Sequence, residues 1–426
     1  MPASIVSRRP AVCLWLCIAF ALSNSLRAAE PASQGWPQFL GPKRNGISHE
    51  TDLINEFGPQ GPKVVWRVPG GIGMSGIALD GRQAVTMLER DGKQQVVAFQ
   101  MSDGAELWNQ SVADGYRNSM GAGPRATPTI ADGAIFVFTG EGILAALDQA
   151  SGELQWRHDV VNEFQGEPAM YGMACSPLVV DGLVIVTAGV EGASIVAYDA
   201  QTGRLAWKSG DDAAGYSSPA LLTAGGRRQV VAFTGGSAVG LEPSSGAELW
   251  RYPFVPDFDC NIATPIAVDD DVFISSGENH GCARLTLEPH GDVLQVTEAW
   301  TSFGPTSVLR NEWQTSVLID GYLYGMDNVG GAGPITHLTC VDANTRERVW
   351  QQKRFGKGNL IAADGKLFIA TLDGELVIVR ATPDRFEELS RAEVFAGGRQ
   401  APALLDGRLY LRDSEEVLCI DIRAAR

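Results

Sequence analysis

Short runs of alternating apolar and polar residues recur along the chain, and Gly, Asp and Pro separate them. Examples are Ala134-Ile-Phe-Val-Phe138, Leu183-Val-Ile-Val186 and Lys366-Leu-Phe-Ile369. A period of two with turn residues at both ends predicts β-strands joined by tight hairpins. The 3.6-residue stripes of a helical solenoid do not accompany these runs. The pattern therefore predicts an all-β chain.

Tryptophan marks a longer period in the same pattern. Seven of the ten tryptophans lie 42 to 51 residues apart, at Trp66, Trp108, Trp156, Trp207, Trp250, Trp300 and Trp350. Most follow a similar phrase, such as Asp148-Gln-Ala-Ser-Gly-Glu-Leu-Gln-Trp156, and precede a turn such as Asp181-Gly182. One cycle of about 47 residues holds about four antiparallel strands, which is the size of a propeller blade.

The number of cycles predicts how the ring closes. Continuing the grid puts Phe395 in the place of the next tryptophan, and a final cycle from Pro402 to Asp421 is one strand short. Val64–Val68 is a strand with no blade before it. Pairing it with the last cycle removes the exposed sheet edges. We therefore predict an eight-bladed β-propeller of four-stranded antiparallel blades, closed by the N-terminal strand completing the last blade.

The repeated residues are expected to hold this fold. A tryptophan at the same place in successive blades acts as a flat wedge between neighbours, and its indole N–H needs one acceptor. The Gly of each phrase supplies a turn conformation, and the Asp caps that turn through its side chain. The seven tryptophans are therefore predicted to be structural docking residues without a part in chemistry.

The repeat Asp-x-x-Thr/Ser-Gly-x-x-x-Trp resembles the tryptophan-docking repeat of the eight-bladed quinoprotein (PQQ)-like propellers. That group includes pyrroloquinoline-quinone (PQQ) alcohol dehydrogenases and the BamB-type assembly scaffold. The resemblance covers residues 64–426, and phrases such as Ala214-Gly-Tyr216-Ser-Ser-Pro219 are most similar to the secreted branch of the superfamily. Because the fold hosts both enzymes and scaffolds, activity has to be argued from a site.

The N-terminus reads as an export signal. Arg8 and Arg9 precede a 12-residue apolar core that ends at Leu22. This pattern predicts a signal peptide, and hence an exported protein of the periplasm or cell envelope, although an anchoring helix is the alternative. The expected organisation is a signal peptide (1–29), an N-terminal lead segment (30–62) that either packs under the ring or tethers it, and the propeller (63–426).

Charge and cysteine content narrow the function further. Fifty acidic and 34 basic residues give the 426-residue chain a net charge of −16, which argues against nucleic-acid binding. A monomer without a transmembrane segment in the mature chain is expected.

Five cysteines follow residue 29 and show no CxxC spacing. Cys260 and Cys282 could pair, but free buried cysteines in strands are the commoner case.

Motifs for chemistry fail on their context. Gly71-Ile-Gly73-Met-Ser-Gly76 fits GxGxxG, but no helix pattern follows it. Asp257-x-Asp259-x-Asn261 opens like a calcium loop and then lacks the required Gly. The five histidines show no metal-ligand spacing. The sequence therefore predicts no catalytic residue and no metal ligand.

A binding site is expected where the loops before the first strand of each blade meet at the axis. These loops carry Arg, aromatic and amide residues that could take a polar or anionic ligand, although solvated loops pairing among themselves remain the alternative. Trp313 lies off the tryptophan grid and is the candidate for ligand stacking or a partner anchor. The candidate ligand-binding residues are Arg125, Tyr171, Tyr216, Asn261, Trp313, Gln314, Asn359 and Arg399.

Two functions remain open. The resemblance to PQQ alcohol dehydrogenases implies a clamped quinone, a calcium ion and an aspartate base, and Asn261 with Asp257 or Asp259 imitates part of a calcium shell. The chain lacks the adjacent Cys-Cys pair of those enzymes and a CxxCH haem site. We therefore expect a non-catalytic scaffold without a cofactor, binding a protein or a small polar ligand at the funnel face. The PQQ- and calcium-dependent dehydrogenase is the alternative.

Overall fold

Eight four-stranded antiparallel sheets form the blades of a propeller ring, as predicted from the repeat. The computed structural model describes Met1, residues 35–330 and residues 335–424. The predicted signal peptide lies outside the described residues. Among those described, no helix is long and apolar enough to cross a membrane.

The first strand of the described residues, β1 (Lys63–Pro69), precedes blade 1 in the chain. Blade 1 contains β2 (Ile77–Leu79), β3 (Gln83–Arg90), β4 (Lys93–Gln100) and β5 (Glu106–Asp114). A small hairpin follows, made of β6 (Arg117–Asn118) and β7 (Gly121–Ala122). Blade 2 contains β8 (Thr129–Ala131), β9 (Ala134–Phe138), β10 (Ile143–Asp148) and β11 (Leu154–Asp159), and helix α1 (Val160–Glu163) follows it. Blade 3 contains β12 (Leu178–Val180), β13 (Leu183–Val190), β14 (Ala193–Asp199) and β15 (Leu205–Ser209).

The remaining blades repeat this order. Blade 4 contains β16 (Ala220–Ala224), β17 (Arg227–Phe233), β18 (Ser237–Leu241) and β19 (Glu248–Pro253). Blade 5 contains β20 (Ile266–Val268), β21 (Asp271–Ser276), β22 (Gly281–His290) and β23 (Val293–Phe303). Short 3-10 helices at Asp257–Asp259 and Gly304–Thr306 flank it. Blade 6 contains β24 (Val317–Ile319), β25 (Tyr322–Val329), β26 (Ile335–Asp342) and β27 (Arg348–Gln352). Blade 7 contains β28 (Gly358–Ala363), β29 (Lys366–Thr371), β30 (Glu375–Arg380) and β31 (Glu388–Glu393), and blade 8 contains β32 (Ala403–Leu405), β33 (Arg408–Arg412) and β34 (Glu416–Asp421).

Strand β1 closes the ring by completing blade 8, which confirms the predicted closure. It pairs antiparallel with β34, from Lys63 opposite Asp421 to Pro69 opposite Glu416. A second link between the first and last blades is Arg412, whose buried guanidinium donates to the carbonyl oxygens of Gly71 and Met87. The two ends of the blade array are therefore joined by a strand pair and by a buried cation.

The grid tryptophans contact the neighbouring blade. Five of their indole N–H groups donate to a main-chain carbonyl oxygen in the next blade, at the turn between its third and fourth strands. The pairs are Trp66 to Met101 (2.9 Å), Trp156 to Ala200 (3.0 Å), Trp207 to Pro243 (3.0 Å), Trp300 to Ala343 (2.8 Å) and Trp350 to Thr382 (2.8 Å). Glycine is required in some of these turns, since a Cβ on Gly104, where φ is +77°, would lie 2.7 Å from the ring of Trp66.

Two grid tryptophans depart from this arrangement. The N–H of Trp108 has no partner among the described residues, because Gln83 Nε2 already donates to the equivalent carbonyl of Gln149 at 2.8 Å. Trp250 donates to the side chain of Gln229 in its own blade. The next blade there has the long β22–β23 hairpin, whose buried Leu287 and Leu294 pack against blade 4. The hairpin thus replaces the usual turn contact.

The expectation that Phe395 occupies the missing grid position is wrong. In the other blades the tryptophan lies just after the bulge of the outer strand, and in blade 7 the residue at that position is Ser390, opposite Ile378. Ser390 Oγ accepts a hydrogen bond from the backbone N–H of Phe57 at 3.0 Å. The carbonyl of Ile422, equivalent to the acceptors of the other interfaces, accepts from the N–H of Ile54 at 2.8 Å. The lead segment therefore fills the place of the missing tryptophan.

The lead segment packs against the ring, which answers the question that its sequence left open. Trp36 forms a β-bridge with Leu79 of blade 1, and Ile47 forms one with Ala362 of blade 7. Between these bridges, Arg44 is 2% exposed. Its guanidinium donates to carbonyl oxygens at the start of the first strands of blades 3 and 4, including Ser176 and Pro219, both at 2.9 Å. One buried cation therefore ties the lead segment to several blades.

Arg44 holds this position without a carboxylate among its hydrogen-bond partners. Its N–H groups are taken by three carbonyl oxygens, by Thr129 Oγ1 and by Gln38 Oε1. Burial lowers the pKa of Arg44 to about 9, so the group still carries its charge at neutral pH. Carbonyl dipoles stabilise the cation here, and each would lose a donor if the guanidinium were removed.

Replacing Arg44 with Met is expected to lower the free energy of unfolding by about 2–3 kcal/mol, because buried carbonyl oxygens lose their donors while the volume stays similar. Urea unfolding followed by circular dichroism measures the effect. Arg82→Met, at an exposed arginine of blade 1, is the matched control and should unfold like the parent. Equal midpoints for the two variants would show that Arg44 does not fasten the lead segment.

Candidate functional site

A cavity of about 400 Å³ lies where the loops preceding the first strands of the blades meet. The lead segment, the loops before all eight blades and the β21–β22 turn contribute to its wall. The lining residues are Phe39, Met74, Gly76, Met120, Arg125, Thr127, Tyr171, Ala174, Ser176, Tyr216, Ser218, Phe258, Cys260, Ile262, Glu278, Glu312, Trp313, Lys357, Asn359, Arg399, Gln400 and Ala401. The wall combines aromatic and aliphatic surface with a few charged groups, as ligand cavities commonly do.

Six of the eight candidate residues line this one cavity: Arg125, Tyr171, Tyr216, Trp313, Asn359 and Arg399. Five come from the loops before blades 2, 3, 4, 6 and 8, and Asn359 lies at the start of β28 in blade 7. Residues so far apart in sequence meet because the ring brings equivalent loops to the axis. The cavity also includes Glu312, Lys357 and Cys260 from the same loops.

Asn261 and Gln314 do not line the cavity, so their expected part in ligand binding is not supported by their position. Asn261 is fully buried, and its Nδ2 donates to the carbonyl oxygens of Thr234 (2.8 Å) and Phe254 (3.0 Å). Gln314 Oε1 accepts from the backbone N–H of Met326 at 2.8 Å. Both amides provide hydrogen-bond partners for buried backbone groups near the axis. Such groups are costly to bury without a partner.

Trp313 lies at the centre of the charged part of the wall. The Lys357 ammonium is 4.2 Å from the centroid of its ring, and the Arg399 guanidinium carbon is 4.3 Å from it. Both distances are within the range of cation–π attraction. Lys357 also forms an ion pair of 2.7 Å with Glu312, whose carboxylate accepts a second bond from Asn328. Lys357 and Glu312 therefore largely neutralise one another.

Arg125 organises the opposite part of the wall. Its guanidinium lies 4.6 Å from the ring centroid of Tyr116 and donates to the carbonyl of Tyr171 at 3.0 Å and to Asn118 Oδ1 at 2.8 Å. Two further carbonyl oxygens, those of Gly121 and Gly123, use most of its remaining N–H groups. Burial lowers the pKa of Arg125. This side chain thus holds loop backbone in place.

Two tyrosines complete this side of the cavity. The rings of Tyr171 and Tyr216 are 5.7 Å apart, and the Tyr216 hydroxyl accepts from the backbone N–H of Tyr171 at 3.3 Å. Burial raises the pKa of Tyr216 to about 12. The phenol therefore stays neutral at physiological pH and offers a hydroxyl next to an aromatic wall.

Arg399 differs from the other cations because most of its donors are free. One of its Nη atoms donates to the carbonyl of Met120 at 3.3 Å and lies 3.7 Å from Met74 Sδ. No acidic side chain of the described residues forms an ion pair with it. Burial lowers the pKa of Arg399, and the charge of Glu312 opposes that shift. Asn359 Nδ2 donates to the carbonyl of Arg399 at 2.7 Å and so fixes this loop.

Several lining residues were missed by the sequence reasoning. Phe39 belongs to the lead segment, and nothing in its sequence points to the axis. Met74 lies inside the GxGxxG match, which was set aside for want of a helix; its position just before the first strand of blade 1 was the available signal. Met120 lies in the turn of the small hairpin between β6 and β7, and Glu278 lies in the turn between β21 and β22.

The donor groups of this cavity do not fit a calcium-bound quinone. None of the described aspartates lines it, and the amide of Asn261 is turned to backbone carbonyls. Across residues 35–330 and 335–424, no cluster of three or more His, Cys, Asp or Glu side chains could hold a metal ion.

Cys260 is a free thiol, as are Cys175, Cys282, Cys340 and Cys419. The possible Cys260–Cys282 disulfide is therefore not formed.

The sequence matches one protein family over most of its length. A family model described as outer membrane protein assembly factor BamB matches residues 53–165, 92–331 and 336–424. The BamB of Yersinia pestis is 20% identical over 317 residues, covering 74% of this chain and 77% of that protein. Quinohemoprotein alcohol dehydrogenase ADH-IIG of Pseudomonas putida is 30% identical over 257 residues, covering 55% of this chain. The match spans 33% of that enzyme's length.

Solved structures share the fold. The quinohemoprotein alcohol dehydrogenase of Comamonas testosteroni superposes with a TM-score of 0.66 at 15% identity, covering 94% of this chain and 82% of that one. ADHIIG of Pseudomonas putida HK5 gives 0.64 at 13% identity, with 92% and 81% covered. At such identity these similarities concern the fold alone.

The five free thiols are expected to resist alkylation in the native protein. All five are buried, and burial raises the pKa of Cys260 to about 12, which leaves about one thiol in 10⁴ ionised at pH 8. Iodoacetamide treatment at pH 8, followed by peptide mass spectrometry, measures modification at each position.

The same treatment in 6 M guanidinium chloride should modify all five cysteines. Raising the pH toward the pKa of the buried Cys260 thiol should speed alkylation of the native protein, since the thiolate is the nucleophile. Rapid native modification of Cys260 would mean that this thiol is more exposed to the cavity than its 7% exposure indicates.

Proposed function

Because the chain belongs to the family of the outer membrane protein assembly factor BamB, we propose that it is a non-catalytic binding propeller of the cell envelope. Its axial cavity would be the binding site, taking part of a protein partner or a small polar ligand. The family description and the predicted signal peptide support the envelope location. A monomer is proposed, since a closed propeller ring leaves its blades with no need of a second copy.

The donor set of the cavity is the observation that carries this proposal. Of the two carboxylates that line it, Glu312 is engaged by Lys357 and Asn328. Burial raises the pKa of Glu312, and its ion pair with Lys357 lowers it. In the part of the chain that the structure describes, no histidine lines the cavity, and the Cys260 thiol is neutral. Glu312 and Cys260 are therefore not set up as a general base beside a nucleophile or metal, which dehydrogenase chemistry requires.

One observation favours the dehydrogenase as a second candidate. Trp313 offers an aromatic face in the cavity, and the cations Lys357 and Arg399 lie against it. PQQ is planar and carries carboxylates, so these residues match part of its chemistry. The quinone would supply the hydride-accepting group in such an enzyme. The calcium ligands and the aspartate base remain unmatched in this chain.

Titrating the protein with PQQ in the presence of calcium separates the two functions. We expect no calcium-dependent reduction of an artificial dye with simple alcohols at micromolar PQQ, because the cavity lacks a calcium shell and a base. A quinohemoprotein alcohol dehydrogenase assayed in parallel controls for reagent quality.

Turnover that requires calcium and is lost in Trp313→Ala would overturn the proposed function and establish the dehydrogenase. Binding of PQQ without turnover would not, because a planar carboxylate can associate with Trp313 and its cations without chemistry.

A further inference from the structure

Among the described residues, Arg399 is the lining cation that forms no ion pair and also leaves most of its hydrogen-bond donors unused. One Nη atom donates to a carbonyl at 3.3 Å, while Nε and the other Nη have no acceptor. The guanidinium is nevertheless half-buried and lies against Trp313. A guanidinium presents its donors in a planar fork that matches a carboxylate with two parallel hydrogen bonds. Arg399 thus offers such a fork to the cavity.

The neighbouring charges do not compete for this fork. The acid whose charge raises the pKa of Arg399 is Glu312. Its carboxylate is already bound by Lys357 at 2.7 Å and by Asn328. Arg125 is engaged by loop carbonyls and by Asn118. An anion entering the cavity would therefore meet Arg399 as its unpaired partner. It would also offset the cost of keeping a half-buried cation without a counter-charge.

The rest of the wall next to Arg399 is apolar. Met74 and Met120 both contact the guanidinium region, through the Met74 sulfur and the Met120 carbonyl. Phe258 lines the same cavity and is 60% exposed, with a backbone φ of +58°. Large exposed aromatic residues at a cavity are typical of a surface that a ligand covers. Methionine side chains adapt to differently shaped apolar groups.

We propose that the axial cavity binds a carboxylate carried beside an apolar group, with Arg399 as its bidentate anchor and Trp313 as the surface that positions the guanidinium. The C-terminus of a peptide and a small organic acid both present this chemistry. The cavity volume of about 400 Å³ accommodates either. This proposal rests on the proposed function, because it identifies the ligand of the same binding site.

Two pairs of probes test the proposal by isothermal titration calorimetry. N-acetyl-Leu-Phe with a free C-terminal carboxylate is compared with its C-terminal amide, and 3-phenylpropanoate with 3-phenylpropanamide. Each pair keeps its shape and differs in charge. We expect each acid that binds to do so at least about tenfold more tightly than its amide, since an amide cannot accept the charged bidentate bond. Tighter binding of the peptide acid identifies a peptide as the source, and tighter binding of phenylpropanoate identifies a small acid.

Arg399→Gln should weaken binding of the acids at least about tenfold and leave the amides unchanged, while Arg399→Lys should fall between, because it keeps the charge and loses the fork. Arg385→Gln removes the same charge from a side chain that is 75% exposed and outside the cavity wall, and it should bind like the parent. Thermal unfolding of each variant shows that it is folded.

Equal binding of acid and amide, no binding of either acid at millimolar concentration, or unchanged binding in folded Arg399→Gln would each overturn the proposal. These outcomes leave the proposed function standing, because only calcium-dependent turnover with PQQ contradicts it. Conversely, an enzyme revealed by the dye assay could still bind a carboxylate through Arg399. The two experiments therefore fail independently.

Discussion

The packing of each blade against its two neighbours is the constraint on which the rest of this structure depends. A four-stranded sheet has two faces, and a single blade cannot cover both of its own. The apolar clusters accordingly span blade boundaries, as in the cluster that joins Phe136 and Leu144 of blade 2 to Val184 and Tyr198 of blade 3. Closure of the ring is then required, because the first and last blades would otherwise each leave one face exposed.

The junction between blades 7 and 8 shows how this constraint is met when the repeat fails. Ser390 stands where other blades carry tryptophan. The lead segment donates the backbone N–H of Phe57 to Ser390 Oγ and that of Ile54 to the carbonyl of Ile422, the acceptor position of this interface. The buried cation Arg44 holds that segment across the ring. The segment before the propeller is thus part of the fold, and through Phe39 it also forms part of the cavity wall. Stability and the binding site therefore depend on the same stretch of chain.

The rigid ring gives loops from distant parts of the sequence one common place. Buried amides such as Asn261 and Asn359 hold the loop backbone, and this leaves Trp313, Lys357 and Arg399 at the cavity. In the proposed function these groups serve recognition, because the cations lie on an aromatic ring and the buried acid is already paired. Such a function is compatible with a fold that quinone enzymes share, since activity resides in a few loop residues.

The sequence by itself determined the all-β class, the eight blades and the closure by β1, because a repeated phrase of Asp, Gly and Trp reports the same local contacts in each blade. It also located most of the cavity, since six candidate residues lie in or beside loops that the repeat places at the axis. Only the tertiary structure decided which loop side chains face the cavity. Asn261 and Gln314 turn to backbone partners, Arg399 remains open, and Ser390, not Phe395, stands in the grid. Such outcomes depend on contacts between residues far apart in the chain, and a periodic pattern carries no information about these contacts.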